Sequence, residues 1–313
     1  MKLSAQLLAL LAAAALFAAP AIAQEPAPIG APANASQEEK KVDFIMPHIT
    51  DSHHLDIPFK GEVELPRWAP VRVGKLTVDL SPTKHVVMLL LAAFLVLVTM
   101  TFAAVGARRQ TRDQGHTSGF TGVIETIVLF VRNEVVIPNV GPHGEKFAPF
   151  VITLFFFILY ANLLGLIPYG STATGNIAVT ATLAIITFFV IEGATFAATG
   201  WRYIYTIFYW PHDMSIWIKL PMTIIMTPIE FVSKLTKPFA LAIRLFANMT
   251  AGHVVLLAMI SLIFTFGSFA IAVLPVGMGV AVSMLELFVA FLQAFIFALL
   301  ASVFIGLGRT GAH

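Results

Sequence analysis

The chain has 313 residues, of which 58% are hydrophobic and 12% charged, with a formal net charge of +2 and no cysteine. Soluble domains carry about 25% charged residues, so a water-facing globule is excluded; so is disorder, and the near-balanced charge gives a nucleic-acid partner no support. The missing thiols remove disulfides, thiol catalysis, thiolate metal sites and a lipoprotein anchor, and a mean hydropathy of +0.86 leaves a polytopic membrane protein.

Met1-Lys2 supplies a positive start, Leu7 to Ala19 a short apolar run, and Ala21-Ile22-Ala23 a small-residue cleavage site before Gln24. This pattern predicts a bacterial-type secretory signal peptide over residues 1–23. The alternative is an uncleaved first membrane helix, which the shortness of the run disfavours. Either reading exports the segment 24–85. Residues 24–36, rich in Pro, Ala and small polar residues, read as a flexible tether. Partial alternation of apolar residues between Gly61 and Leu80 predicts a short hairpin.

The membrane domain is predicted over 86–313. Residues 86–105 form the first span, and Arg108, Arg109 and Arg112 beyond it mark the cytoplasmic side. Phe120 to Val136 places Ile124, Ile127, Val128 and Val131 at helical spacing among Glu125, Arg132, Asn133 and Glu134, the pattern of an amphipathic helix on the inner leaflet. Pro138 and the stretch Gly141 to Gly144 are expected to break it.

Residues 147–167 and 177–199 are the second and third spans. An aromatic belt (Trp201, Tyr203, Tyr205, Tyr209, Trp210) follows them. The run from Pro221 to Phe266 would reach about 69 Å as one helix, too long for a vertical span. It is expected either to break at Pro228 and Pro238 or to tilt strongly, with the fourth span over 239–266. The fifth, 276–307, is also long enough to tilt, and Arg309 closes it on the cytoplasmic side. The predicted fold is therefore an all-α polytopic membrane protein. It has five transmembrane helices plus one amphipathic surface helix, the last two spans long and tilted, the N-terminus outside and the C-terminus cytoplasmic. No internal repeat of the carrier type is visible.

Ionisable groups inside apolar runs survive only where they face protein or water and have a partner. Arg244 lies in such a run, with Asn248 one helical turn on. Arginine stays charged in any protein environment, whereas a lysine can shed its proton. The competing view makes Arg244 a structural ion-pair partner or a snorkelling residue, a description that suits Lys234 and Lys237 better. His253 lies about half a turn around from Arg244, toward other helices of the chain. Glu286 and Gln293 share one face of the last span, two turns apart. A carboxyl in hydrocarbon resists ionisation, and an acid and an imidazole are the side chains best suited to hand protons on. With Asn248 and Gln293 they suit a hydrated proton path, against the plainer alternative of interhelical hydrogen bonding. Glu230, Ser233 and Glu192, near inner helix ends, suggest a second wet path, although each alone reads more readily as an interfacial polar group. For Asn162, Asn176 and Thr180, helix-hairpin hydrogen bonding is the favoured role.

The run from Pro238 to His253, containing Arg-Leu-Phe-Ala-Asn-Met, resembles the signature of subunit a of rotary F-type ATP synthases. So do Glu286 to Phe297, Ser52 to Leu55, the helix 122–131 and Asn162 to Pro168. The resemblance implies a stator beside a rotating c-ring of hairpin subunits, each with one essential carboxylate. Other implied partners are the peripheral stalk subunit b, the translocated protons and the lipid bilayer of a bacterial inner membrane; no cofactor or metal is implied. It makes Arg244 the essential arginine facing the ring. It places Asn248, His253, Glu286 and Gln293 in the outer half-channel, and Glu230 and Ser233 on the inner side. Some bacterial members carry Glu at the position of His253 and His at that of Glu286, and an exchange that keeps one acid and one imidazole suggests joint action. The subunit itself performs no bond chemistry. From another class, a proton-coupled carrier would use Arg244 to bind a small anionic solute, but it calls for a repeat and broken-helix sites that are not seen. An intramembrane hydrolase lacks a workable Ser-His pair or metal cluster.

Overall fold

The computed structural model describes residues 52, 54–57, 61–68, 71–73, 76–78, 81–114, 117–167, 172–203, 215–266 and 269–310. The signal peptide, the tether and the belt residues Tyr205, Tyr209 and Trp210 lie outside them. Four short strands come first: β1 (His54–Ile57), β2 (Gly61–Glu64), β3 (Val71–Val73) and β4 (Leu76–Val78). They pair as two antiparallel hairpins, with His54 opposite Glu64 and Val71 opposite Val78. The short hairpin expected between Gly61 and Leu80 is present as β3–β4, and a second one, β1–β2, precedes it. Pro66 and Pro70 separate them, and a residue without an N–H cannot donate to a ladder.

The rest is helical: α1 (Lys84–Gln114), α2 (Gly119–Phe130), α3 (Ile137–Val140), α4 (Ala148–Gly165), α5 (Ile177–Thr199), α6 (Ile216–Phe266) and α7 (Phe269–Thr310). Five of these, α1 and α4 to α7, are long and apolar enough to cross a membrane. A π-helical segment, Val131–Val136, joins α2 to α3, so the amphipathic helix runs on through Pro138 and stops at Gly141, whose φ is +77°. The proline ring would press on the carbonyl four residues back; the wider π turn just upstream relieves that crowding. At Gly141 the left-handed backbone suits glycine and ends the helix.

α6 is continuous over 51 residues with Pro221, Pro228 and Pro238 inside it, so of the two alternatives the break does not occur. Each proline forfeits one backbone hydrogen bond, a loss helices tolerate better in a membrane than in water. α7 follows with 42 residues and Pro275 inside. At about 1.5 Å per residue both exceed the ~30 Å of hydrocarbon.

The chain divides into two compact units. The first takes residues up to Thr99, Phe156–Thr182 and Leu245–Ala294; its core includes Ala92, Val96, Phe156, Phe157, Ile158, Leu245 and Ala290. The second takes Met100–Phe155, Leu183–Arg244 and Phe295–His313, with Val131, Val135, Val136, Val140, Leu154 and Ile305 in its core. In the second unit α7 lies directly on α3: a Cβ at Gly306 would collide with the Asn139 carbonyl, and one at Gly308 with Thr195 of α5. Arg309 donates to the carbonyls of Val140 (3.4 Å) and Pro142 (2.8 Å) and covers the Phe147 ring. It thereby satisfies carbonyls that a helix end leaves without partners. Large apolar side chains such as Phe94, Phe189, Phe231 and Met284 remain open on the surface, as a bilayer-facing protein requires.

Candidate functional site

Within the first unit, α6, α7 and the connection from α4 to α5 bring polar groups together. Glu286 of α7 is 7% exposed, and neither carboxyl oxygen has a hydrogen-bond partner among the described residues. Its space is made by Gly252 of α6, where a Cβ would collide with the carboxyl. Next along α6, His253 presents Nδ1 to Glu286 Oε1 at 3.8 Å, an ion-pair separation just beyond hydrogen-bond reach. Nε2 lies 2.6 Å from Thr172 Oγ1 and 2.9 Å from the Gly165 carbonyl oxygen, and the same Thr172 hydroxyl is 3.4 Å from Nδ1.

The same connection carries more polar groups. Thr174 Oγ1 donates to Asn162 Oδ1 (2.7 Å), and Asn162 Nδ2 donates to the Ala290 carbonyl (3.4 Å). Thr250 Oγ1 donates to the Gly175 carbonyl (3.4 Å). Asn176 Oδ1 accepts the Ala178 N–H (2.9 Å), so Asn176 caps α5, and its Nδ2 lies 3.4 Å from Nδ1 of the buried His85. Thr180 is fully buried and donates to the Ile177 carbonyl (3.2 Å). Gln293 is buried on α7, while Asn248 is exposed on α6.

The periodicity of α6 separates two faces. Leu241, Leu245 and Met249 are buried, and His253, next in that register, is half-buried. Arg244 and Asn248 lie on the exposed face, and among the described residues Arg244 enters none of the ion pairs.

In the second unit Glu230 and Ser233 are half-buried on α6. Glu192 of α5 is engaged: its Oε2 accepts a hydrogen bond from the Tyr203 hydroxyl and lies 3.4 Å from Lys234 Nζ. The two charged side chains are only 14% and 17% exposed, and the Lys234 ammonium sits 4.8 Å from the centre of the Tyr203 ring. Lys234 is therefore a paired cation, not a snorkelling one. Burial first, then the bond to Glu192, hold the Tyr203 phenol well above its ordinary pKa, so it remains a donor at physiological pH. Among the described residues no group of three or more His, Cys, Asp or Glu is placed to hold a metal.

Residues 86–306 match the family model described as ATP synthase A chain. The chain is 44% identical to ATP synthase subunit a 2 of Chlorobaculum tepidum over 275 residues, covering 87% of this chain and 74% of that protein. It is 45% identical over 277 residues to ATP synthase subunit a of Pelodictyon phaeoclathratiforme, covering 88% and 78%. With ATP synthase subunit a of an Anaeromyxobacter species it shares 38% identity over 316 residues, covering 90% and 74%. The chain belongs to the ATP synthase A chain family.

For this A chain family member, the sequence-derived residues fall into distinct groups. Glu286 and His253 are brought face to face. Asn162 and Asn176 hold the helix connection beside them. Glu192 is tied to Tyr203 and Lys234. Sequence reasoning missed Gly252, Thr172, Thr174, the Gly165 carbonyl and His85. A glycine directly before a membrane histidine is a usable signal of close approach. Backbone carbonyls and loop hydroxyls leave no periodic trace.

Proposed function

We infer that the chain is the proton-conducting stator subunit of a rotary F-type ATP synthase, placed in a bacterial inner membrane with its N-terminus periplasmic and its C-terminus cytoplasmic. Its partners in this reading are the c-ring, the peripheral stalk subunit b and the translocated protons. Family membership supports it, and so does one structural observation: Arg244 is exposed on an apolar membrane helix, off the buried register of Leu241, Leu245 and Met249. A permanent cation so placed is available to an acid on a neighbouring subunit.

At ~4 Å and an effective dielectric of about 20, a guanidinium attracts a carboxylate by about 4 kcal/mol before desolvation. Arg244 thus favours the ionised ring carboxylate and drives proton release as each ring site arrives. Beyond the arginine the carboxylate must be reprotonated before it faces lipid, where a bare charge is costly. Glu286, His253, Asn248 and Gln293 serve the outer path in this reading; Glu230 and Ser233 serve the inner one. The fixed charge separates the two paths and blocks a direct leak. Each proton crossing ~100 mV supplies ~2.3 kcal/mol toward rotation.

The deciding experiment replaces Arg244 in the intact complex. Arg244→Ala should abolish ATP-driven acidification of inverted vesicles while the subunit still assembles, and Arg244→Lys should fail badly as well. Preserved pumping in either variant overturns the reading.

A further inference from the structure

A histidine that hands protons to and from an acid works only if the correct ring nitrogen is bare when the proton arrives. The surroundings of His253 bear directly on that. A backbone carbonyl oxygen accepts hydrogen bonds and cannot donate them, so the nitrogen 2.9 Å from the Gly165 oxygen, Nε2, is the protonated one. Thr172 Oγ1, from the helix connection, is 2.6 Å from the same nitrogen and 3.4 Å from Nδ1, so its shorter contact is the one to Nε2. Thr172 is itself buried and wedged against Gly165, where a Cβ would run into its side chain, so the hydroxyl has little freedom to leave. In a neutral imidazole the opposite nitrogen, Nδ1, then carries a lone pair, and Nδ1 is the atom facing Glu286 Oε1 at 3.8 Å. Glu286 is the charged side chain within ion-pair distance of His253 among the described residues. The Met249 carbonyl, one turn back on α6, is a second backbone acceptor for a ring N–H and competes with the Gly165 carbonyl.

We propose that Thr172 and the Gly165 carbonyl form a positioning clamp that keeps the His253 Nε2 proton on their side and turns a bare Nδ1 toward Glu286. The proposal rests on the outer-path reading of His253 and Glu286. Transfer from a protonated Glu286 breaks the carboxyl O–H bond and forms Nδ1–H, leaving a carboxylate beside an imidazolium. The reverse step returns the proton, and Nε2–H stays in place throughout. A small approach of the two side chains brings 3.8 Å into hydrogen-bond range, as catalytic pairs commonly require. Thr172 is a positioning residue in this scheme and does not carry the proton.

The test uses the intact ATP synthase, with nitrogen-15 histidine incorporated for solid-state NMR and the His253 signals identified by their loss in His253→Gln. The wild-type ring is expected to show Nε2 protonated and Nδ1 bare; a protonated Nδ1 overturns the proposal. Thr172→Val keeps the side-chain shape and removes the hydroxyl. It should mix the two tautomers and slow ATP-driven pumping by about tenfold or more at unchanged subunit content, while Thr172→Ser should restore most of the rate. An unchanged tautomer and rate in Thr172→Val, or equal failure of both variants, overturns the role of the hydroxyl. His253→Leu separates the two levels: if it pumps normally, the outer-path reading itself falls, whatever tautomer the ring adopts.

Discussion

Gly252 shows how one missing methyl group can set a site. Glu286 occupies the volume that a Cβ on Gly252 would take, so Gly252→Ala must shift the carboxyl that faces His253. ATP-driven proton flux should fall about tenfold or more in Gly252→Ala, with normal subunit levels on native gels, because a displaced proton-transfer group loses its geometry. Flux at the wild-type rate would mean that the carboxyl finds an equivalent position. Glu286→Gln removes the ionisable group and keeps the shape. It should slow flux and change how flux depends on pH, and a superimposable pH profile would count against a titrating role for Glu286.

At the scale of elements, two side-chain clusters hold helices in the second unit. Tyr203 and Lys234 converge on Glu192, tying α6 to α5 and to the turn after it. Removing one partner deprives a largely buried charge of this contact, so Glu192→Gln or Lys234→Met should destabilise the assembled subunit by about 1–3 kcal/mol, read as a lower midpoint in thermal unfolding of the purified complex. An unchanged midpoint in both would show that water replaces the pair at no cost. Arg309 does comparable work at the end of α3 by supplying donors to two carbonyls and a cation to an aromatic face. Arg309→Ala should cost about 2 kcal/mol, again measured as a loss of thermal midpoint. Gly306→Leu should be worse, because the Asn139 backbone cannot move aside as a flexible side chain can.

Across the whole molecule, the spans were legible because hydrocarbon thickness fixes how long an apolar run must be; the five runs read from composition reappear as α1 and α4 to α7. The polar residues were legible as exceptions to those runs, which is how Arg244, His253 and Glu286 stood out. Pairing was not legible. Nothing in the spacing of Glu192 and Lys234 announces that they meet, and the clamp on His253 is made by a main-chain oxygen and a loop hydroxyl. The continuity of α6 was also hidden, since proline is a breaker in water and a tolerated neighbour in lipid. The orientation inferred from arginine placement is open to direct measurement, because the chain has no cysteine to mask an introduced one. A membrane-impermeant maleimide should label the exposed Trp68→Cys from the periplasmic side, and Ser118→Cys only in inverted vesicles; the opposite pattern would reverse the topology.

The unbroken α6 can also be viewed as a beam under load. In the proposed role of Arg244, an acid drawn toward it would pull sideways on the rod that carries it. Pro221, Pro228 and Pro238 act as notches, each having given up one of the backbone ties that stiffen a helix, and all three lie on the same side of Arg244 along the chain. The missing ties of these prolines therefore all fall in the stretch before the arginine.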